Sequence, residues 1–587
     1  MSLSPATAPT CRRDLVVVSI VCGMLLLPFL AKPLQVDDPL FVWCARQITA
    51  HPLAPYGFTG NWDGHRQPFY QFMQNPPLVP YYVAAAATVL GWTEVGLHVA
   101  FLPVAILAAV GTYLLAAQFC RRPLAAALML VASPAFLVSC TTLMSEGPLL
   151  CLWVWATYLW VRGSAATSPA ARWGLLTGAG LAVTAATLAK YPGINLIPLL
   201  VAHAVLCPPP TRRARVAQAV ALLVPIALLF GYDRATAARY GYGLLSDAIG
   251  FSRSANGRNP IPLAGRALDG LCFLGGGCLP AAAVGLVAFA GPGGRSPWGR
   301  RFAIPVTVAA LALAAGHHFS PPVGWARADG PSIWGFFGQC GLMATAGVAV
   351  VGLCAVGVGW TAPPADRRRG LFLLVWVAGV FTFATFLNWA VNIRSILPLL
   401  PAACILAVRA VDRPPRADGK RIPWPAPFGI ATAVAGGVAV LVAVADLQFA
   451  VHNRTAAVLL SHDLGDAAAA ATPPGGHRPR VWFGGHWGFQ FYMERGGASP
   501  LDDDHRDYAA GDFVVLPLDN YGTRPLAAPL EYQRPFQVGT GSWLSTMKLS
   551  MGAGFYFSPG DRLPFVVGPI PPDAYLIARV APSPARR

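Results

Sequence analysis

Two adjacent carboxylates, Asp37 and Asp38, stand directly before Pro39 and a few residues after the apolar run 15–31. Asp is a favoured helix N-cap and proline is favoured at the first helical position, so Asp38 has a structural explanation as a cap. Asp37, one residue further out, has no such explanation. A carboxylate at the mouth of a membrane helix bundle is suited to accept a proton from a hydroxyl nucleophile. We therefore predict Asp37 as a general base, with Asp38 as either a cap or a second catalytic acid.

A third acid, Glu146, lies in the segment LMSEGPLL at the start of another apolar run. Negative charge at a helix N-terminus interacts favourably with the helix dipole, which is one explanation for its position. The other explanation is that Glu146 lines the same outer cavity as the acidic pair. The sequence predicts Glu146 as a candidate catalytic residue and leaves both explanations open.

Two cationic segments lie at the outer ends of apolar runs: Lys190 with Tyr191 in LAKYPG, and Arg394 in IRSILPLLP. Cations at these ends run against the usual excess of positive charge on the cytoplasmic side. One explanation is that the side chains snorkel to the membrane interface. The alternative is that they bind the phosphate of a lipid, for which arginine offers a bidentate contact. We predict all three as ligands of a donor phosphate.

The whole chain has the composition of a multi-pass membrane protein. Of its 587 residues, 55% are hydrophobic and only 12% are charged, against roughly a quarter charged in soluble domains. Apolar runs long enough to cross ~30 Å of hydrocarbon recur from position 15 to position 445 and then stop. The net charge of +17 comes largely from arginines clustered between these runs, where they set topology, so it does not predict nucleic-acid binding.

The arginine clusters predict the orientation of the chain. If each cluster is cytoplasmic, the chain crosses about thirteen times, with the N-terminus in the cytoplasm and the C-terminus outside. The short run 78–90 is then an interfacial or re-entrant helix on the outer face, within one large outer loop over 32–94 whose first helix begins at Pro39. The predicted crossings are 15–31, 95–118, 123–143, 147–161, 174–190, 193–207, 214–232, 271–291, 302–317, 338–360, 370–388, 394–411 and 427–445.

The last crossing divides the chain into two predicted domains, a membrane-embedded domain over 1–445 and a soluble extracytoplasmic domain over 446–587. The tail has ordinary polarity and three short β-like runs, RVWFGG, DFVVLP and AYLIARV. Between the first two lies HWGFQFYMERGG, which has helix-like spacing and ends in glycines. A small α/β domain is therefore predicted.

The order of several motifs resembles that of glycosyltransferase family 39. An acidic pair follows the first span, an outer loop ends in NPPL before YYVAAA, an acid opens a later span in SEGPLL, and LAKYPG and IRSILPLLP come after it. This family includes the dolichyl-phosphate-mannose protein mannosyltransferases and the bacterial transferase that adds aminoarabinose to lipid A. The resemblance covers roughly residues 12–445, and the acidic pair is its most specific element.

The resemblance implies a C-type glycosyltransferase fold with an outer active site that uses a polyprenyl-phosphate sugar. The family's first acid, the proposed base, matches Asp37, and its second matches Asp38. Its later acid, usually Asp, corresponds to Glu146, and its late arginine corresponds to Arg394. Lys190 falls in the family's lysine-glycine region, with Tyr-Pro inserted before the glycine. Some relatives bind a metal near this site; no matching ligand set occurs in this sequence, so a divalent metal stays an open alternative.

These observations predict an inverting glycosyltransferase of the cell's inner (plasma) membrane. It would move a sugar from a polyprenyl-phosphate donor to a hydroxyl acceptor, which is a lipid, a protein or a glycan, with Asp as general base. The alternative is a polytopic transporter or lipid flippase, although transporters often contain repeated halves with paired broken helices, and none is evident here. A second alternative is an assembly or sensor protein that acts through its tail.

Overall fold

The computed structural model describes residues 11–73, 75–290, 322–326, 332–412, 425–472, 477–504, 507–520, 529–533, 535–556 and 562–582. The crossing predicted over 302–317 lies outside these residues.

Helices form most of the described chain that precedes the tail, and one further helix lies in the tail. The helices are α1 (Arg12–Leu26), α2 (Asp38–Ala50), α3 (Phe69–Phe72), α4 (Leu78–Leu90), α5 (Glu94–Phe119), α6 (Pro123–Val131), α7 (Pro134–Ser139), α8 (Glu146–Ala165), α9 (Pro169–Ala189), α10 (Leu196–Leu206), α11 (Arg212–Tyr240), α12 (Leu244–Gly257), α13 (Leu263–Gly277), α14 (Leu279–Ala290), α15 (Val323–Ala326), α16 (Ile333–Gly357), α17 (Pro364–Thr382), α18 (Ile393–Ile396), α19 (Leu400–Val411), α20 (Ala426–Ala470) and α21 (Trp487–Arg495).

Short 3-10 or π segments adjoin several of these helices, at Leu27–Phe29, Tyr191–Asn195, Phe383–Leu387 and Leu397–Leu399. A further 3-10 segment, Leu549–Met551, lies between two strands of the tail. Six of the described helical segments are long and apolar enough to cross a membrane, or seven if α13 and α14, which meet at 96°, form one broken span. The chain is therefore a multi-pass membrane protein. The six are α5, α11, α16, α17 with its π-helical extension, the segment Ile393–Val411, and α20.

The crossing predicted over 123–143 is not one helix. It is divided into α6 and α7, because Pro134 lacks the N–H that a continuing helix needs. The Ser133 hydroxyl instead accepts a hydrogen bond of 3.3 Å from the backbone N–H of Phe136 and caps the new helix. The predicted total of about thirteen crossings consequently stays a prediction.

The short apolar run 78–90 forms a separate helix, α4, as expected. Its 13 residues are fewer than the roughly 20 that a crossing needs. The helix ends at Gly91, whose φ of +81° is a conformation that glycine adopts without a Cβ penalty. Helix α4 packs against α2 and α5 in the predicted outer loop.

Glycine allows close helix packing in the bundle. Between α13 and α16, Gly275 faces the carbonyl of Met343 and Gly347 faces that of Leu271, so closely that a Cβ on either glycine would clash with the facing backbone. Small residues at such contacts let membrane helices approach and gain van der Waals attraction.

The tail is a strand-rich domain, and the predicted strands and helix are all present. The described strands are β1 (Thr59–Asn61), β2 (Arg66–Pro68), β3 (Val481–Phe483), β4 (Ser499–Pro500), β5 (Phe513–Pro517), β6 (Leu530–Tyr532), β7 (Phe536–Val538), β8 (Ser542–Ser545), β9 (Met547–Lys548), β10 (Ala553–Gly554), β11 (Val566–Ile570) and β12 (Asp573–Val580). The main sheet of the tail has the strand order β4–β3–β5–β12–β6, with β7 also pairing with β12. Strands β3, β4 and β5 are parallel and β12 is antiparallel to β5. Strands β1 and β2 form a hairpin in segment 32–94, the predicted outer loop.

One continuous helix joins the membrane part to the strand-rich domain. Helix α20 is 45 residues long and runs past the predicted domain boundary at 445/446 to Ala470. Its sequence contains neither glycine nor proline from 438 to 464 and is rich in alanine, so helix propensity persists after the apolar stretch ends. Helix α21 of the tail packs against it.

Candidate active site

Four charged side chains from distant parts of the chain meet in one group, which we call the ionic cluster: Asp37, Glu146, Lys190 and Arg394. Arg394 Nη1 donates to Asp37 Oδ2 at 2.7 Å and Arg394 Nε donates to Glu146 Oε1 at 2.6 Å. Lys190 Nζ donates to the same Glu146 oxygen at 2.5 Å. Four of the six residues predicted from the sequence are therefore neighbours.

Each member of the ionic cluster sits at the end of a helix. Asp37 immediately precedes α2, Glu146 is the first residue of α8, and Lys190 follows the last residue of α9 in an extended conformation. Arg394 lies in α18, whose cap residue Asn392 accepts a hydrogen bond of 2.9 Å from the backbone N–H of Ser395. Helix ends converge here, so short polar turns rather than helix interiors carry the charges.

The two acids of the ionic cluster differ in exposure. The Asp37 side chain is 22% exposed, whereas that of Glu146 is 1% exposed. The Asp37 carboxylate is therefore accessible to a small molecule from outside, while the Glu146 side chain is enclosed with its two cations. The residue before Asp37 is Val36, whose φ of +44° is strained for a β-branched residue. This strain belongs to the turn that presents Asp37.

Asp38 does not cap its helix, so that interpretation was wrong. Helix α2 begins at Asp38 itself, with Asp37 in the cap position and no side-chain cap bond among the described contacts. The Asp38 carboxylate is fully buried and accepts hydrogen bonds from the backbone N–H groups of Gln35, at 3.0 Å, and Leu143, at 2.8 Å. Burial raises the pKa of Asp38 to about 7, against the opposing effects of these two bonds and of Lys32.

Tyr191 is not brought into the ionic cluster by any described contact. Its hydroxyl lies 3.1 Å from that of Tyr232 on α11. Lys190 and Tyr191 are adjacent in sequence, but the chain turns between them at the start of a 3-10 segment, and their side chains reach different neighbours.

A small cavity, with room for about one water, adjoins the two cations of the ionic cluster. Sequence reasoning missed its other polar residues, among them Trp153, although Trp153 follows Glu146 by seven residues and so lies two turns along the same face of α8. The cavity is lined by Leu149, Trp153, Lys190, Pro192, Asn195, Val380, Phe383, Arg394, Ser395 and Pro398.

The strand-rich domain also reaches the site, which the sequence did not indicate. The backbone N–H of Ile393, next to Arg394, donates to the carbonyl of Phe555 at 3.2 Å. The next residue, Tyr556, accepts a hydrogen bond of 2.6 Å from the Gln35 side chain, two residues before Asp37.

The described part of the chain contains no cluster of side chains that would form a metal site. No group of three or more His, Cys, Asp or Glu side chains there could hold an ion. The twelve cysteines are all free thiols.

Comparison with known proteins gives one family match. Residues 74–231 match the sequence model of the dolichyl-phosphate-mannose-protein mannosyltransferase family. This segment includes Glu146 and Lys190 and lies between the acidic pair and Arg394. No curated protein matches the chain.

Several solved structures are distantly similar. ArnT from Cupriavidus metallidurans bound to undecaprenyl phosphate is 15% identical over 86% of this chain and 93% of that chain, with a TM-score of 0.44. The Archaeoglobus fulgidus oligosaccharyltransferase in complex with Zn and sulfate is 12% identical over 86% and 68%, with a TM-score of 0.45. The S. cerevisiae protein O-mannosyltransferase Pmt1–Pmt2 complex bound to the sugar donor is 14% identical over 38% and 33%, with a TM-score of 0.30. The resemblance drawn from the sequence is thus confirmed over residues 74–231, which match the dolichyl-phosphate-mannose-protein mannosyltransferase family.

Proposed function

We propose that this protein is a membrane glycosyltransferase that transfers a sugar from a polyprenyl-phosphate donor to a hydroxyl acceptor, with Asp37 as the general base. The observation that carries the proposal is the ionic cluster, in which a partly exposed carboxylate is held by an arginine beside a cavity lined by two cations. The match of residues 74–231 to the mannosyltransferase family supports the same reaction class.

The proposed chemistry needs one base and one anion site. The acceptor oxygen attacks the anomeric carbon, the bond from that carbon to the phosphate oxygen breaks, and polyprenyl phosphate leaves with inversion. Asp37 accepts the proton of the attacking hydroxyl. General-base catalysis of this kind typically raises the rate by ~10²–10⁴-fold. Arg394 and Lys190 stabilise the negative charge on the departing phosphate.

Glu146 has a different role in this proposal from the one first considered. One of its oxygens accepts from both Arg394 and Lys190, and its side chain is enclosed. It is a positioning residue that sets the distance between the two cations. Asp38 is likewise a positioning residue, because its carboxylate joins the turn before Asp37 to the turn before α8 through two backbone N–H groups.

The arrangement in the membrane belongs to the same proposal. The fold is of the C-type glycosyltransferase class, with about thirteen crossings, a membrane domain over 1–445 and an extracytoplasmic domain over 446–587. The protein resides in the plasma membrane with its N-terminus in the cytoplasm, and the ionic cluster faces the outer side. The acceptor is a lipid, a protein or a glycan.

The test is release of polyprenyl phosphate from a panel of polyprenyl-phosphate sugars, with native membrane extract as the acceptor. We expect turnover by the wild type and a loss of roughly 10²–10⁴-fold in Asp37→Asn, with donor binding retained. If Asp38→Asn loses the chemical step and Asp37→Asn does not, the base is assigned to the wrong residue. Folded wild-type protein that turns over no donor would contradict the proposal and favour a transporter.

A further inference from the structure

Two strands of the tail are bonded to a membrane helix. Strands β8 and β11 pair antiparallel and form a two-stranded sheet separate from the main sheet. The Gln339 side chain of α16 bonds the backbone of β11 twice. It donates to the carbonyl of Val567 at 2.8 Å and accepts from the backbone N–H of Val567 at 2.7 Å. Helix α16 is one of the described segments that are long and apolar enough to cross a membrane.

The position of Gln339 along α16 indicates the depth of this sheet in the membrane. Trp334 lies in the first turn of α16 and is 77% exposed, a position that suits a tryptophan at the membrane–water interface. Gln339 follows Trp334 by five residues and so lies roughly 7.5 Å further along the helix axis, toward the interior of the crossing. A strand that is bonded to Gln339 therefore lies at the level of the interface or deeper.

The two bonds also satisfy a polar group within an apolar helix. A side-chain amide in hydrocarbon costs free energy unless it finds hydrogen-bond partners. Within its own helix, Gln339 donates to the carbonyl of Gly335 at 3.3 Å, and the oxygen of its amide accepts from Val567. The strand thus supplies the donor that Gln339 needs at this depth.

The same sheet exposes large apolar side chains. Trp543 of β8 is 72% exposed, and Val567 of β11 is about half exposed. The sequences of the two strands, SWLS and VVGPI, contain no charged residue. An exposed tryptophan beside apolar side chains suits the boundary between lipid headgroups and acyl chains, because the ring is apolar and its N–H is polar.

We propose that the β8–β11 sheet lies in the membrane interface, with Trp543 and Val567 in contact with lipid. The partner is the boundary between headgroups and acyl chains in the leaflet on the side of the tail. The strand-rich domain is then fixed to the membrane at two places, through helix α20 and through this sheet. The inference does not depend on the proposed function, because it concerns the contact of the domain with lipid and not the reaction.

The test is photo-crosslinking of the full-length protein in phospholipid nanodiscs, with benzoylphenylalanine at one position at a time and adducts identified by mass spectrometry. We expect phospholipid adducts with the probe in place of Trp543 and in place of Trp334, because the excited ketone reacts with C–H bonds of nearby acyl chains. Tyr532 is the matched control. It is an aromatic residue of the same domain and is 64% exposed, but its strand β6 pairs with β12 in the main sheet. The probe in place of Tyr532 should give no lipid adduct above the unirradiated sample.

Two results would show that the exposed tryptophan does not mark a lipid contact. Equal lipid yields from positions 543 and 532 would mean that exposure alone determines the reaction, and adducts from position 543 to peptides alone would mean that protein covers the sheet. Either result overturns the inference, as does an absence of lipid adducts from position 543, whatever position 334 yields. Should the variant at Trp543 not fold, the probe in place of Val567 is expected to give the same lipid adducts, and their absence there overturns the inference.

Discussion

The three carboxylates near the site differ in what surrounds them. Asp37 is partly exposed and bonds one cation, Glu146 is enclosed between two cations, and Asp38 is enclosed between two backbone N–H groups. A proton acceptor must reach its substrate, whereas an enclosed carboxylate can only hold its neighbours in place. Differences in burial and in hydrogen-bonding partners therefore give chemically similar acids different roles in the proposed site.

Glu146→Gln should behave differently from Asp37→Asn. Removing the Glu146 charge leaves two enclosed cations without their shared counter-ion, and breaking such a buried pair costs about 3 kcal/mol of unfolding free energy. We expect a lower thermal unfolding midpoint and weaker donor binding for Glu146→Gln, measured side by side with Asp37→Asn, which should keep both. A Glu146→Gln variant that folds and binds donor normally but does not turn over would instead identify Glu146 as the base.

Asp38 should make stability fall as pH rises. Its pKa is about 7 in the folded protein against 3.8 for an unperturbed carboxyl, so between these values the folded state binds the proton more tightly than the unfolded chain. Stability from this group is complete below about pH 4 and is lost as pH rises to about 7. The unfolding midpoint of the wild type minus that of Asp38→Asn should therefore decrease across this window. A difference that is constant with pH would contradict the expectation.

At the scale of elements, the site is built where helices stop. Helices α2, α8, α9 and α18 each contribute one charged residue at or near an end, and the turn after α7 donates the N–H of Leu143 to Asp38. Helix ends bring unpaired backbone groups and short loops together, so small changes in capping move the charges.

Removal of the cap of α18 should loosen Arg394. Asn392→Ala deletes the oxygen that accepts from Ser395, at a cost of about 1 kcal/mol. We expect donor affinity to fall several-fold because the Arg394 guanidinium is held less firmly over Asp37 and Glu146. Thr211→Ala removes a comparable cap from α11, where Thr211 accepts from Ala214 at 3.2 Å. Equal effects of both variants on donor affinity would contradict a local role for Asn392.

At the scale of the whole molecule, the strand-rich domain is joined to the turn before Asp37 by a buried polar network. Lys32 pairs with Asp446 on α20, and both side chains are fully buried. Asp446 also accepts from the hydroxyls of Tyr556, at 2.8 Å, and Thr546, at 2.9 Å. Gln35 bridges Asp446 and Tyr556. The tail thus helps to hold the proposed base.

A second junction ties the tail to the hairpin of the outer loop. The Asn61 side chain donates to the carbonyl of Leu501 at 3.0 Å, and the Gln490 side chain donates to the carbonyl of Asn61 at 2.6 Å. The backbone N–H of Asp503 donates to the carbonyl of Gly64 at 2.8 Å. The hairpin of segment 32–94 and the strand-rich domain are consequently joined by several hydrogen bonds.

Tyr556→Phe should lower turnover without abolishing donor binding. The variant removes a hydroxyl that donates to Asp446 and accepts from Gln35, which is expected to cost about 1–2 kcal/mol of stability and to loosen the turn before Asp37. We expect kcat to fall several-fold with donor affinity unchanged. Tyr575→Phe, at another buried tyrosine of the same domain, is the control and should leave kcat as in the wild type. A Tyr556→Phe enzyme with wild-type kcat would show that the tail does not help to position the proposed base.

The sequence by itself determined the features that depend on neighbouring residues. Hydrophobic runs indicate the membrane segments. Short β-like runs indicate three strands of the tail, and helix-like spacing before two glycines indicates helix α21. Pro39 indicates the start of α2 within one residue. Asp37 stood out because no local role accounts for it. These signals are local, so they can be read from one chain alone.

Only the tertiary structure decided which distant residues meet. Arg394 bonds Asp37 across 357 positions, and Tyr556 bonds Asp446 across 110. Packing also turned the Asp38 carboxylate away from its own helix and separated Tyr191 from Lys190. Such pairings follow from how helix ends converge and from the need to satisfy each buried charge, and neither is encoded in residue spacing.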